Sequence, residues 1–257
     1  MKKIILATLL VLPGLVLGQT PEEKGLAIAV EADKRGEGYI DSQVDLKMIL
    51  INAKGQESVR DMRVKSLESE QGDKSLMVFD TPKDQKGVAM LTFTHKTEPD
   101  DQWLYLPALK RVKKISSRNK SGPFVGSEFA FEDISSQEVE KYNYRYLKDE
   151  MVDGVDCFVV ERDPIDKYSG YTKQVAWIDK QEYRAIKIDF YDRKKSLLKT
   201  LENKDYKLYL EKFWRPSLSL MTNHQTGKKT KLVYQDYRFK TGLDDKEFSK
   251  NSLKRVK

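Results

Sequence analysis

The chain has 257 residues, with 47 Lys and Arg against 40 Asp and Glu and a formal charge of +7. That excess is mild and the two signs are interspersed, so nothing in the charge demands nucleic acid as a partner. One cysteine, Cys157, excludes a disulfide framework, and two histidines, His95 and His224, offer no zinc-ligand spacing.

The N-terminus reads as a targeting segment. Lys2 and Lys3 precede the apolar run Ile4 to Leu12, Pro13-Gly14 breaks it, and Val16-Leu17-Gly18 suits cleavage before Gln19. The run is too short for a membrane span. The expectation is a signal peptide over 1–18 and one domain over 19–257, exported to a bacterial periplasm. No cysteine lies near the cleavage point to carry a lipid anchor. Without Lys2 and Lys3 the formal charge falls from +7 to +5.

Thr20-Pro21-Glu22-Glu23 has the form of a helix start, with Thr20 as cap and Glu23 as its capping-box partner. Leu26, Ala29, Val30 and Asp33 follow on one predicted face, and Gly36 ends the helix. From Tyr39 the period changes to two. Strands are predicted over Val44–Leu50, Ser58–Glu68, Leu76–Phe79 and Val88–Phe93, then Trp103–Leu106 and Ala108–Ile115. Further strands follow over 142–147, 157–162, 172–178, 185–191, 197–208, 213–221 and 228–239, with a short helix near Asp244–Leu253. These read as antiparallel strands in meander order. Such a sheet must close or cover its edges, and one curved around the few helices does so economically. Its hollow would suit an apolar ligand.

The stretch Asp100–Ile134 concentrates the unusual residues. Ser116 to Gly126 is a Ser/Gly/Asn/Pro loop, yet Phe124, Phe129 and Phe131 lie in or just beyond it. They either gate an apolar cavity or plug the core. Leu46, Met48, Leu50, Phe79, Leu91, Phe93, Trp103 and Tyr105 are core residues first and cavity-lining candidates second. Both faces are apolar in 88–93 and 103–107, so alternation does not say which face looks inward. The cations Lys110, Arg111, Lys113, Lys114, Arg118 and Lys120 either guard an edge strand against aggregation or meet headgroups or an acidic partner.

No catalytic motif appears. Ser196-Leu-Leu-Lys199 fits a Ser-x-x-Lys pattern that a Lys-rich chain produces by chance, no Gly-x-Ser-x-Gly elbow exists, and Gly227-Lys228-Lys229-Thr230 is not a phosphate-binding loop. Cys157, beside Phe158-Val159-Val160, reads as a buried structural thiol.

Trp103, Tyr105 and Pro107 in QWLYLPALKRVKKIS are followed by Ser121-Gly122, Gly126-Ser127-Glu128-Phe129 and Glu132-Asp133. Supporting pieces are Met77-Val78-Phe79 before Thr81-Pro82, the strand Gly87–Phe93, and Asp245-Lys246-Glu247-Phe248 with Leu253. With these, nearly all of 19–257 resembles the outer membrane lipoprotein-sorting proteins of the LolA/LolB-like superfamily. The resemblance implies a mainly β chain with a few helices. Its single strongly curved antiparallel sheet would form an open, incomplete β-barrel with a helical lid, holding acyl chains. A buried arginine helps control the lid of the best-known carriers, and no position here matches it.

The expected function is a monomeric periplasmic carrier for acyl chains of lipoproteins or lipids, making transient membrane contact and loaded by an inner-membrane transporter. It needs no catalytic residue, metal or cofactor. The alternative is an accessory module that docks on a transporter with its cavity filled by its own phenylalanines. An enzyme acting through Ser196 or His224 has no motif behind it.

Overall fold

A computed structural model describes residues 18–255. The predicted signal peptide lies, but for Gly18, outside the described residues. The first element is the helix α1 (Pro21–Gly36), which begins as its sequence dictates. Thr20 accepts from the Glu23 amide, and Glu23 returns a carboxylate to the Thr20 amide. Its buried face differs from the predicted one. Gly25 and Ile28 are buried, whereas Leu26 is 46% exposed and Val30 is equally open. The cause is Gly25: a Cβ there would stand 2.7 Å from the Tyr146 amide nitrogen, so only glycine lets the helix approach that backbone.

Six strands follow as consecutive antiparallel neighbours: β1 (Asp41–Ile51), β2 (Glu57–Leu67), β3 (Lys74–Phe79), β4 (Ala89–Phe93), β5 (Asp101–Leu106) and β6 (Arg111–Ile115). A second run comprises β7 (Tyr142–Val152), β8 (Val155–Pro164), β9 (Tyr171–Asp179), β10 (Ala185–Asp192) and β11 (Leu197–Lys204). The hairpin of β12 (Lys207–Tyr209) and β13 (Phe213–Arg215) leads to β14 (Leu218–Asn223) and β15 (Lys229–Phe239). β14 pairs with β11, and β15 pairs with β14 and with β1, which joins the two runs. The result is one curved thirteen-stranded antiparallel sheet whose edges are β6 and β7. Those edges do not pair, so the barrel stays open.

Several predicted elements are cut shorter. The span 197–208 breaks at Asp205, which takes φ 54°, and 213–221 breaks at Pro216, which has no amide to donate. Ala108 to Lys110 is not strand: Pro107–Leu109 forms a 3-10 turn and Lys110 is left-handed, so β6 starts at Arg111. The C-terminal helix is two 3-10 turns, Asp245–Glu247 and Ser252–Lys254, and the 127–138 region holds one, Phe131–Asp133. The expected helical lid is therefore one helix and a series of short turns.

The core lies on both faces of the sheet. The inner cluster spans it, from Met48, Met62, Phe79 and Met90 to Val160, Ile188, Phe190 and Met221. The outer cluster packs Leu76, Val78, Ala89, Leu91 and Trp103 of β3–β5 beneath Phe248 and Leu253. This explains why strand alternation is silent there: the period-two signal needs one wet face, and β4 and β5 have none.

Candidate functional site

The 26 residues Ser116–Lys141 connect β6 to β7, that is, one edge of the sheet to the other. The chain takes this route across the inner face, and its aromatic residues fill it. Phe124 is fully buried and Phe129 nearly so. The Phe124 ring sits 6.0 Å from that of Phe79 and 5.6 Å, edge to face, from that of Phe131. The segment is folded on itself: the Phe124 amide donates to the Phe129 carbonyl at 2.7 Å, and Pro123 bridges to Ala130. Its tip is strained, because Val125 is β-branched yet adopts φ 46°, and Gly126 follows at φ 76°.

The sheet fastens this plug at polar points. Lys199, on β11, donates to the Asp133 carboxylate at 2.6 Å and to the Glu128 carbonyl at 2.9 Å. Both side chains of the ion pair are buried, Lys199 to 4% exposure and Asp133 to 6%. Tyr171, on β9, donates its hydroxyl to Asp133 at 2.8 Å. Burial, reinforced by the negative charge of Asp133, raises the Tyr171 phenol far above its ordinary pKa and keeps it a donor. Glu132 accepts from the Ser169 hydroxyl and the Gly170 amide, and burial pushes its carboxyl up. Nearer the tip, Arg60 donates to the Val125 carbonyl at 2.5 Å and Thr230 accepts from the Glu128 amide at 3.0 Å.

The predicted site residues divide between the two faces. Leu46, Met48 and Phe79 belong to the inner cluster, and Leu50 packs against it. Phe124, Phe129 and Phe131 belong with them as the plug. Leu91, Phe93, Trp103 and Tyr105 do not: they form the outer cluster, with the Trp103 ring 5.3 Å from Phe93 and the C-terminal turns covering both. These four, expected as cavity candidates, lie in the cluster on the outer face of the sheet. The inward residues of β4 and β5 are Met90, Leu104 and Leu106.

The six cations also separate. Lys114 pairs with Asp101 at 2.6 Å and Lys120 with Asp166 at 2.8 Å. Arg118 lies over the Tyr168 ring. Lys110, Arg111 and Lys113 are exposed on the turn and the edge strand. Where the two sheet edges face each other a cleft of about 330 Å³ remains, lined by Gln102, Ile115, Lys141, Tyr142, Pro164 and Tyr168 among others. Its polar walls satisfy themselves: Lys141 pairs with Asp100, and Tyr142 donates to Gln137. Ser196 lies exposed in the β10–β11 turn, and His224 stands 2.7 Å from the Thr200 hydroxyl.

Lys199 and Asp133 were invisible as a pair, being 66 residues apart in sequence. One signal was available for Lys199. It interrupts the apolar run Leu197-Leu198-Lys199-Thr200-Leu201, where a lysine facing inward needs a partner.

Comparisons with known proteins agree with this architecture. A family profile described as "Uncharacterized protein" matches residues 71–255. A solved Vibrio parahaemolyticus domain assigned to outer membrane lipoprotein sorting shares 59% identity at a TM-score of 0.89, covering 91% of this chain and 100% of its own. A DUF1329 family protein from Desulfovibrio piger follows at 29% identity and TM-score 0.86, covering 91% of this chain and 99% of its own. A LolA superfamily protein from Nitrosomonas europaea has the same fold at 23% identity and TM-score 0.72, covering 89% and 98%. None of the curated proteins compared matches the chain. The Vibrio relative, aligned over its whole length, places this chain in the outer membrane lipoprotein-sorting protein family, on the LolA-like fold.

Proposed function

We propose that this chain is a periplasmic carrier that takes acyl chains of lipoproteins or lipids onto the inner face of its curved sheet, with Ser116–Lys141 as a displaceable plug. The observation that carries the reading is the plug itself. Its phenylalanines occupy an apolar face that spans the sheet, yet the segment belongs to neither edge strand and is fastened to the sheet through side-chain polar contacts, among them those of Arg60, Thr94, Gln102, Tyr171 and Lys199. Swinging it out would expose Leu46, Met48, Leu50 and Phe79 together. Each methylene of a bound chain would gain about 0.8 kcal/mol there, which offsets the packing that the phenylalanines give up. Lys199 is one of the fastening points, a buried cation that releases both Glu128 and Asp133 when the segment leaves. No chemical step is required of the protein. An inner-membrane transporter would load it, because drawing a lipid from a bilayer exposes much apolar surface. Among the described residues no helix is long and apolar enough to cross a membrane, which fits a protein that visits one.

A second reading has its own support. Phe124 is wholly buried, so the inner face is already filled, as it would be in an accessory module that docks on a transporter and carries nothing. Native mass spectrometry of the chain from Gln19, purified without detergent and then offered a diacyl lipid, separates the two. The carrier takes up lipid, and takes up more when Lys199→Met is combined with Asp133→Leu, which unfastens the plug without leaving a lone buried charge. A folded double variant that stays lipid-free would sink the carrier reading in favour of the docking module.

A further inference from the structure

The cleft between the sheet edges is built from separate stretches of chain: the β4–β5 turn with Gln102 just beyond it, the β8–β9 turn, and the Ser116–Lys141 connection beneath both. Most of its charges neutralise one another. Lys120 pairs with Asp166 and Lys141 with Asp100, and the Glu132 carboxylate accepts from Ser169 and Gly170. Glu98 and Glu140 remain at the exposed rim against Lys167, so no surplus of positive charge awaits an anion. The neutral polar groups are less complete. Gln102 lines the cleft and is only 3% exposed. Its Nε2 donates to the Phe131 carbonyl at 2.9 Å and to the Ser135 hydroxyl at 3.0 Å, yet among the described residues nothing donates to its Oε1. A buried amide oxygen without a donor is a cost that a ligand hydroxyl removes. Ser135 accepts from Gln102 and, among the described residues, finds no acceptor for its own proton. The hydroxyls of Ser117 and Tyr168, also in the lining, have no hydrogen-bond partner among the described residues either. Between these groups lie the apolar surfaces of Pro99, Ile115, Pro164 and Ile165, the last 58% exposed.

We infer that this cleft is a binding site for an uncharged, hydroxyl-rich ligand the size of a sugar residue. A hydroxyl both donates and accepts, which matches an open acceptor at Gln102 beside uncommitted hydroxyls. The C–H faces of a sugar ring match the proline and isoleucine surfaces between them. The volume of about 330 Å³ lies at the low end for a ligand site and calls for a compact molecule. An extended peptide is a poorer match. The cleft reaches β6 only at Ile115 and β7 only at Tyr142, so it offers the ends of two strands and not an edge along which a chain could add. Gln102 also holds the closed connection, through Phe131 and Ser135. A ligand on its oxygen therefore engages a side chain that fastens the plug. The inference stands apart from the carrier reading, since the cleft and the inner face lie on different sides of the connection.

The test is an NMR titration of the chain from Gln19 with the methyl glycosides of glucose, galactose, mannose and N-acetylglucosamine. At least one should shift the amide resonances of Gln102, Ser135 and Tyr168, and the 6-phosphate of that sugar should bind no more tightly. Gln102→Leu and Tyr168→Phe should each weaken binding about fivefold, the effect of one lost hydrogen bond. Tyr168→Phe removes a hydroxyl with no partner among the described residues, so it keeps the test decisive should Gln102→Leu fail to fold. The diacylglycerol glycoside of the same sugar distinguishes two sources of this chemistry. Tighter binding than the methyl glycoside, in competition with it, assigns the site to a lipid headgroup, and equal affinity assigns it to a free sugar. Absence of these shifts with every glycoside overturns the proposal. Tighter binding of the phosphate, or affinity unchanged in the folded variants, overturns it equally. Lipid uptake by the inner face is measured without sugar, so either reading can fail alone.

Discussion

Lys199 and Asp133 bring two full charges into the interior, and the pair is tolerable only because each has further partners. Removing one member leaves the other buried and uncompensated. Lys199→Met should therefore cost about 3–5 kcal/mol in urea unfolding, and adding Asp133→Leu should recover more than half of it. A loss in Lys199→Met below about 1 kcal/mol would mean that the pair is solvated. Asp73 poses the reverse case. Its carboxyl is pushed from 3.8 up to about 6, first by burial and then by Glu138 and Glu68. The folded state thus holds the proton more tightly than the unfolded chain. Its contribution to stability is most favourable below about pH 4, falls as pH rises through about 6, and above that carries the full cost. Asp73→Asn keeps acceptors for Tyr39 and Ser136 and removes the charge. It should stabilise by about 1 kcal/mol at pH 7.5, discounted for partial exposure, and by nothing near pH 4. Thermal unfolding at the two pH values reads this directly.

Among the elements, α1 shows how a single position sets docking. The helix covers the β7 edge, where Lys24 also lies 3.4 Å above the Tyr146 ring. With a side chain at 25 it must lift off the Arg145–Tyr146 backbone. Gly25→Ala, although favourable for an isolated helix, should destabilise by about 1–3 kcal/mol and raise amide exchange in β7. Unchanged exchange in β7 would show that the helix does not protect that edge. The opposite edge, β6, is five residues long and basic, the form in which an open edge resists pairing with another chain. One edge is thus guarded by packing and the other by charge.

At the scale of the molecule, the two unpaired edges create both the opening and the need for Ser116–Lys141 to cross it. Phe124 and Phe129 turn that crossing into part of the core. Phe129→Ala should cost about 3–5 kcal/mol while increasing uptake of a fluorescent fatty acid, since the vacated volume lies on the inner face. A variant that loses stability and gains no uptake would argue that the interior collapses and was never a cargo site.

The sequence by itself determined the start of α1, the antiparallel order of the strands, the turns between them, and the importance of the loop phenylalanines. Each is written locally, in a capping box, a period of two, a Gly- or Asn-bearing turn, or an aromatic residue out of place in a polar stretch. The resemblance of the Trp103–Asp133 region to the lipoprotein-sorting proteins carried the curvature and the openness. Only the tertiary structure decided which face each apolar strand residue joins, because β4 and β5 are covered on both sides, by the plug within and by Phe248 and Leu253 without. It alone brought Lys199 to Asp133. That contact depends on how the β6–β7 connection crosses the inner face, and no local pattern of residues encodes the crossing.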